Sequence, residues 1–224
     1  MNHANNGAKY GIDQYRFAHN YDFKDKTLAI ASDAIKHSFR FAGKNKLEYD
    51  AGKGSESFDY ECLKLDVDTY FVRFGTNVAV FEMTGGVGAL VLADGFVFGA
   101  VDQAGQAQSG AIPCLTDEMT DTAVTWVLGC DKFFSRIYAE AGLCRAAWAP
   151  AKADFAEYPA KCVKIKEGMF LTDVTEPIPD GSCAPAGSDR IIALEDYERM
   201  MLVGCVFGKN PPLMISGYGE FIVP

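Results

Sequence analysis

Histidine is scarce in this sequence: only His3, His19 and His37 occur. None pairs at i,i+2 or i,i+4, and the second half of the chain has none. A catalytic zinc centre needs three clustered His, Cys or carboxylate ligands, so no metal is expected. There is no G-x-S-x-G motif, and histidines confined to the first 37 residues exclude a Ser–His–Asp order. The glycines GGVG (85–88) lack the spacing and the following helix of a dinucleotide loop. They read as a hairpin turn, and no cofactor is expected. No run of Lys or Arg offsets the net charge of −9. Phosphate backbones and anionic bilayers both need a basic face, so nucleic acid and membrane are excluded as partners.

No stretch approaches 18 uncharged apolar residues, so no spanning helix is expected. The opening MNHANNGAKYGIDQYRF is polar and has no apolar core, which argues against a secretory signal. The seven cysteines form no CxxC. Their odd number and scattered spacing fit reduced thiols and a cytoplasmic location.

What the sequence does have is self-similarity. YECLKLDVDTYFVRF (Tyr60–Phe74) returns as AKCVKIKEGMFLTDV (Ala160–Val174), with Cys62 over Cys162 and Lys64 over Lys164. VAVFEMTGGVGALV (Val78–Val91) resembles RIIALEDYERMMLV (Arg190–Val203), with Glu82 set over Glu195. The Pro/Gly/Ser-rich insertion Pro177–Asp189 accounts for the longer spacing. An echo that occurs only twice predicts a duplication rather than a solenoid. The expected organisation is an N-terminal arm (1–22), a first copy (23–110) and a second copy (114–224). Gly105–Pro113 is the linker.

Both copies are built of short β-like runs with turn signals between them. In the first, Thr27–Ala31, Ser38–Ala42, Lys46–Tyr49, Thr69–Phe74, Val78–Met83, Val87–Ala93 and Phe96–Val101 read as strands. In the second, Thr122–Leu128, Lys132–Ala139, Leu143–Trp148, Arg190–Leu194 and Met200–Phe207 do so, and the tail supplies a closing strand. Lys166–Glu167–Gly168 is the turn of the second hairpin, where Gly168 supplies positive φ. Around EDYERMMLV, the stretch Tyr197–Cys205 leaves a helix open as the alternative. Strands at this spacing predict an all-β fold, a sandwich or a barrel. A barrel is favoured because it leaves no open edges.

The K-[LI]-x-x-x-x-[YF]-[FL]-V hairpin, the opening TDEMTDTAVTW of the second copy, Trp148 and the late Val206–Phe207–Gly208 strand are similar to the family called molybdenum cofactor biosynthesis protein F (MoaF). The resemblance runs from about Phe23 to the C-terminus. It implies a duplicated antiparallel calycin, or lipocalin-like, β-barrel. Calycin barrels include phenolic acid decarboxylases and cofactor-free cyclases. DVTEP (Asp173–Pro177) resembles the decarboxylase segment that carries the active-site glutamate, which implies that role for Glu176. The strand tyrosine pair of those enzymes is replaced here by Thr125–Trp126. Their upstream arginine is absent, with Lys152 near its place.

Candidate chemistry rests on polar and aromatic groups that line a barrel. Arg40, Arg73, Arg136 and Arg145 lie in strands; one that points inward must meet a partner or a ligand anion. Arg136 or Arg145 is the expected anion anchor, Glu176 the acid/base, and Tyr138, Trp126 and Trp148 the walls. Tyr49 and Tyr60 are further aromatic candidates for ligand contact. Glu61, Glu82 and Glu195 are acid/base candidates if buried, although the recurrence of Glu82 as Glu195 in the second copy points to structure rather than catalysis for both. The function expected is a cofactor-independent lyase or isomerase (decarboxylase, dehydratase or cyclase) acting on a small apolar or aromatic metabolite. The rival is a non-catalytic small-molecule binding or accessory protein. A third reading, a dimerisation module, predicts filled barrels. A small molecule is the expected partner, and a homodimer is left open.

Overall fold

Strands β1 (Thr27–Ala31), β2 (Lys36–Ala42), β3 (Lys46–Asp50), β4 (Ser55–Lys64), β5 (Thr69–Phe74), β6 (Asn77–Glu82), β7 (Val87–Leu92) and β8 (Gly95–Gln103) follow one another as an antiparallel meander. The meander closes on itself where β1 pairs with β8. The two-residue β9 (Gln106–Ala107) extends β8. A second meander, β10 (Thr122–Gly129), β11 (Lys132–Glu140), β12 (Leu143–Trp148), β13 (Ala156–Lys166), β14 (Met169–Val174), β15 (Ser188–Asp196), β16 (Met201–Gly208) and β17 (Leu213–Phe221), closes through β10 and β17. The computed structural model describes residues 12, 14–32, 35–103, 105–107, 112–149, 155–178, 187–208 and 211–222. Among them the chain is all-β, a duplicated antiparallel barrel.

The chain divides into two compact units, Ala18–Cys114 and Met1–Phe17 with Leu115–Pro224. Most of the N-terminal arm, the middle of the Gly105–Pro113 linker, most of the Pro177–Asp189 insertion and Lys152 lie outside the described residues. The helix alternative at Tyr197–Cys205 gives way to a turn followed by β16. β-branched and apolar residues dominate there from Met201 onward, and both neighbours offer a ladder. No helix is long and apolar enough to cross a membrane among the described residues.

Alternation builds each interior. In β2 (KHSFRFA), His37, Phe39 and Phe41 are buried while Lys36 and Arg40 are exposed. In β10 (TAVTWVLG), Val124, Trp126 and Leu128 are buried at the same two-residue period. The first barrel is filled by rings. Phe39, Phe41, Phe74 and Phe81 join Tyr60, Tyr70 and Phe23 in one cluster. Phe39 and Phe81 meet edge-to-face at 5.2 Å, a geometry that adds to burial.

Backbone register fixes which residues of the two copies correspond. Asp25 and Asp121 both adopt positive φ, and their amides donate to Phe41 and Tyr138. Phe41 therefore corresponds to Tyr138, and Phe39 to Arg136. Cys62 faces Val72 as Cys162 faces Thr172. Glu82 faces Thr69 as Asp196 faces Met169. The counterpart of Glu82 is thus Asp196, and the match of Glu82 with Glu195 is corrected by one residue. Glu195 takes the place of Phe81. A one-residue shift in a strand carries a side chain to the opposite face, so this correction moves Glu195 into the interior.

Candidate functional site

Three of the ring positions that plug the first barrel are polar in the second. Arg136, Tyr138 and Glu195 stand where Phe39, Phe41 and Phe81 stand, and Thr172 replaces Val72. Arg136, Glu195 and Glu176 are each 0% exposed. Strand β11 delivers Phe134, Arg136 and Tyr138 inward at alternate positions. Phe134 belongs to one apolar cluster with Trp126, Trp148 and Ile178, and Tyr138 to another with Met119, Cys144 and Ala160. The guanidinium lies between them.

Four donors converge on Glu195. Arg136 Nη1 reaches Oε1 at 2.9 Å, Thr172 Oγ1 at 2.8 Å and Tyr138 Oη at 3.1 Å. Tyr197 Oη reaches Oε2 at 2.6 Å. Glu176 is held differently. Trp148 Nε1 donates to its Oε1 at 2.6 Å, while its Oε2 stands 3.8 Å from Arg136 Nη2, beyond hydrogen-bond distance. Among the described residues, Glu176 Oε2, Arg136 Nε and Nη2, and Trp126 Nε1 are buried and have no hydrogen-bond partner. Phe134 completes the surround: its ring stacks on Trp148 at 4.6 Å and lies 5.1 Å below the Arg136 guanidinium carbon.

Burial pushes the Glu176 carboxyl above the usual carboxylate range, against the opposing pull of Arg136 and the Trp148 hydrogen bond. Burial alone would lower Arg136, but Tyr138, Glu176 and Glu195 around it hold it well above its ordinary value. Tyr138 and Tyr197 are raised, first by burial and then by the Glu195 charge. Both stay protonated donors. Burial likewise pushes the Cys144 and Cys162 thiols up to about 12, which removes them as nucleophiles at neutral pH.

A cavity of about 180 Å³ opens beside Tyr138, which is part of its wall together with Met119, Glu140, Gly142, Ala160 and Cys162. From the buried layer, β11 runs through Tyr138 to Glu140 and the β11–β12 turn at this mouth. Tyr138 thus touches both the mouth and Glu195.

The structure brings together Glu176, Arg136, Tyr138, Trp126 and Trp148 of the sequence candidates. Arg145, the other expected anchor, is corrected: it points outward, exposed, and pairs with Glu157 at 2.6 Å. The strand period decides this, because Cys144 and Ala146 take the inner face of β12. Arg40 is likewise an outer residue, paired with Glu48 at 2.7 Å. Arg73 and Glu61 are half-buried opposite one another at 3.8 Å. Tyr60 fills the core of the first barrel. Tyr49 bonds His37 Nδ1 at 2.7 Å. Burial raises both tyrosines to about 12. These five residues belong to the first unit and are not part of the second-barrel cluster.

Glu82 caps a turn, accepting from the Thr84 and Gly85 amides. Asp196 does the same for Glu198 and Arg199, so the recurring acid is structural. Glu195, Thr172 and Tyr197 complete the cluster. The hairpin turns carried the signal for Glu195, since counting from them places it on the inner face. No group of three or more His, Cys, Asp or Glu that could hold a metal occurs among the described residues. No protein-family model matches the chain, and none of the curated proteins compared with it is significantly similar.

Proposed function

We propose that the second barrel is a cofactor-independent acid–base site of the lyase or isomerase class, acting on a small molecule that enters beside Tyr138. One observation carries this reading. Glu176 Oε2 and Arg136 Nη2 stand 3.8 Å apart, and these two atoms and Arg136 Nε are buried and without a hydrogen-bond partner among the described residues. The equivalent of Arg136 in the first barrel is Phe39, in a ring-filled core. Buried polar atoms are ordinarily satisfied, and an orphaned pair of opposite character suits a reacting group.

In this reading Glu176 moves the proton. Its raised pKa keeps it an acid closer to neutral pH than a solvated glutamate. Arg136 holds the negative charge that develops as a proton or carboxyl group leaves. Glu195, with its four donors, positions Arg136. Trp148 orients Glu176 through Oε1. The two apolar clusters exclude water and strengthen each of these interactions.

The test is conversion of small metabolites by the full-length chain, followed by mass spectrometry of a cell extract. The wild-type protein depletes at least one component, and Glu176→Gln slows this by about a hundredfold to ten-thousandfold. An unchanged far-ultraviolet circular dichroism spectrum would show that the variant is folded. Retention of a component without its conversion would support the second reading, a carrier or accessory protein. The saturation of Glu195 by four donors favours that alternative, since a rigid network also serves binding. The duplicated barrel accords with the resemblance to the MoaF family, and membership of it is part of this proposal.

A further inference from the structure

Charge balance in the second barrel says what kind of molecule the site takes. Two carboxylates, Glu176 and Glu195, surround one guanidinium, Arg136. The other titratable groups that act on Glu176 are neutral at physiological pH: Cys144 on β12 and Tyr158 on β13. Tyr138 on β11 is a neutral donor to Glu195. Three buried donors, Arg136 Nε, Arg136 Nη2 and Trp126 Nε1, have no acceptor among the described residues. They call for oxygen atoms carrying negative charge. A third anion beside two ionised carboxylates and a single cation would be repelled at these distances. The site can accept one only if a carboxylate becomes neutral. Glu195 is engaged by four donors, whereas among the described residues Glu176 accepts from Trp148 alone and its Oε2 has no hydrogen-bond partner.

Resting on the acid–base reading above, we infer that the ligand is a small organic monoanion, a carboxylate. Its oxygens bind the Nε–Nη2 edge of Arg136 while Glu176 takes up a proton from solvent. The proton adds to Oε2, the anion replaces the charge that Glu176 gives up, and the total charge of the layer is unchanged. Oε2 then becomes a donor to the bound carboxylate. The cavity beside Tyr138, about 180 Å³ and lined by neither Arg136 nor Glu176, is the way in on the reading above. Its volume is close to the ~150 Å³ that holds one benzene ring, so a single-ring carboxylate can enter it and is the probe.

Isothermal titration of benzoate into the full-length protein tests this, in buffers of different ionisation enthalpy. About one proton is taken up per benzoate bound, and affinity falls about tenfold per pH unit above the pKa of Glu176. Glu176→Gln is nearly isosteric, cannot titrate, and should bind benzoate with no proton uptake and little pH dependence. Benzoate binding without proton uptake overturns the inference and leaves the acid–base reading standing. So does binding of neutral benzamide in place of benzoate. Proton-linked benzoate binding in a protein that converts no metabolite has the opposite meaning: the inference holds and the enzyme reading falls. Failure of the folded protein to bind benzoate or any other small carboxylate overturns the inference.

Discussion

Glu195 shows what one buried side chain is required to do. It gives Arg136 its nearest counter-charge at 2.9 Å and accepts from Thr172, Tyr138 and Tyr197. Glu195→Leu would leave the guanidinium without that partner and the Tyr138 and Tyr197 hydroxyls without this acceptor, while Thr172 keeps the Ala193 carbonyl at 3.3 Å. Removing one partner of a buried pair costs about 3–5 kcal/mol, read as a lowered denaturation midpoint. The first barrel supplies the repair, because Phe39, Phe41 and Phe81 fill the same three positions. A well-packed apolar replacement of a buried ion pair is often neutral or stabilising. The triple variant Arg136→Phe, Tyr138→Phe, Glu195→Phe should regain most of the loss and bind no benzoate. A triple variant less stable than Glu195→Leu would show that the two interiors are not interchangeable. Arg136 and Glu176 were legible in the sequence, one as a strand arginine and one through the DVTEP segment. Their mutual geometry was not, because Glu176 follows β14 and approaches Arg136 only through barrel closure.

Register is the matter at the scale of elements. The β13–β14 hairpin turns at Glu167–Gly168, where Gly168 has φ 65°. A Cβ there would come within 2.6 Å of Glu198 Cγ on the neighbouring turn. The Gly168 carbonyl also accepts from the Tyr197 amide at 2.8 Å. This bond ties the hairpin to the start of the β15–β16 turn and so holds Glu195, two residues earlier, on the inner face. Gly168→Ala should destabilise by about 1 kcal/mol or more, since alanine resists positive φ. Denaturant titration checks it, and an unchanged midpoint would sink the argument. The turn and its glycine were readable from sequence, as were the bounds of Thr69–Phe74 and Leu143–Trp148. The alignment of the copies beyond that turn was not. Similar apolar runs slide by one residue at little cost in apparent similarity, and only the ladder shows which slide is real.

At the scale of the whole molecule, residues 12 and 14–17 belong with the second barrel rather than the first. Ile12 is 2% exposed and sits in the cluster of Trp126, Trp148 and Ile215. Gln14 Oε1 accepts from the Cys130 amide at 2.7 Å. The Phe17 amide donates to Ser216 Oγ at 2.8 Å, and that hydroxyl donates to the Tyr15 carbonyl at 3.1 Å. Such pairings span 116 to 201 residues of sequence and leave no local period, so a polar segment with isolated aromatics read as an N-terminal arm with no stated docking place. The duplication itself was legible, because each copy folds on neighbours in sequence. A chain begun at Ala18 would lose the Ile12 side chain from a close-packed core together with these hydrogen bonds. Loss of a buried isoleucine costs about 2–5 kcal/mol. Both tryptophans of the protein, Trp126 and Trp148, lie in the second barrel, so their fluorescence reports that barrel. Its unfolding midpoint should fall in the truncated chain by an amount in this range. The Ile12→Ala variant of the full chain should account for most of the fall. If truncation leaves the tryptophan transition unmoved, residues 12–17 are not part of the second barrel's stable core.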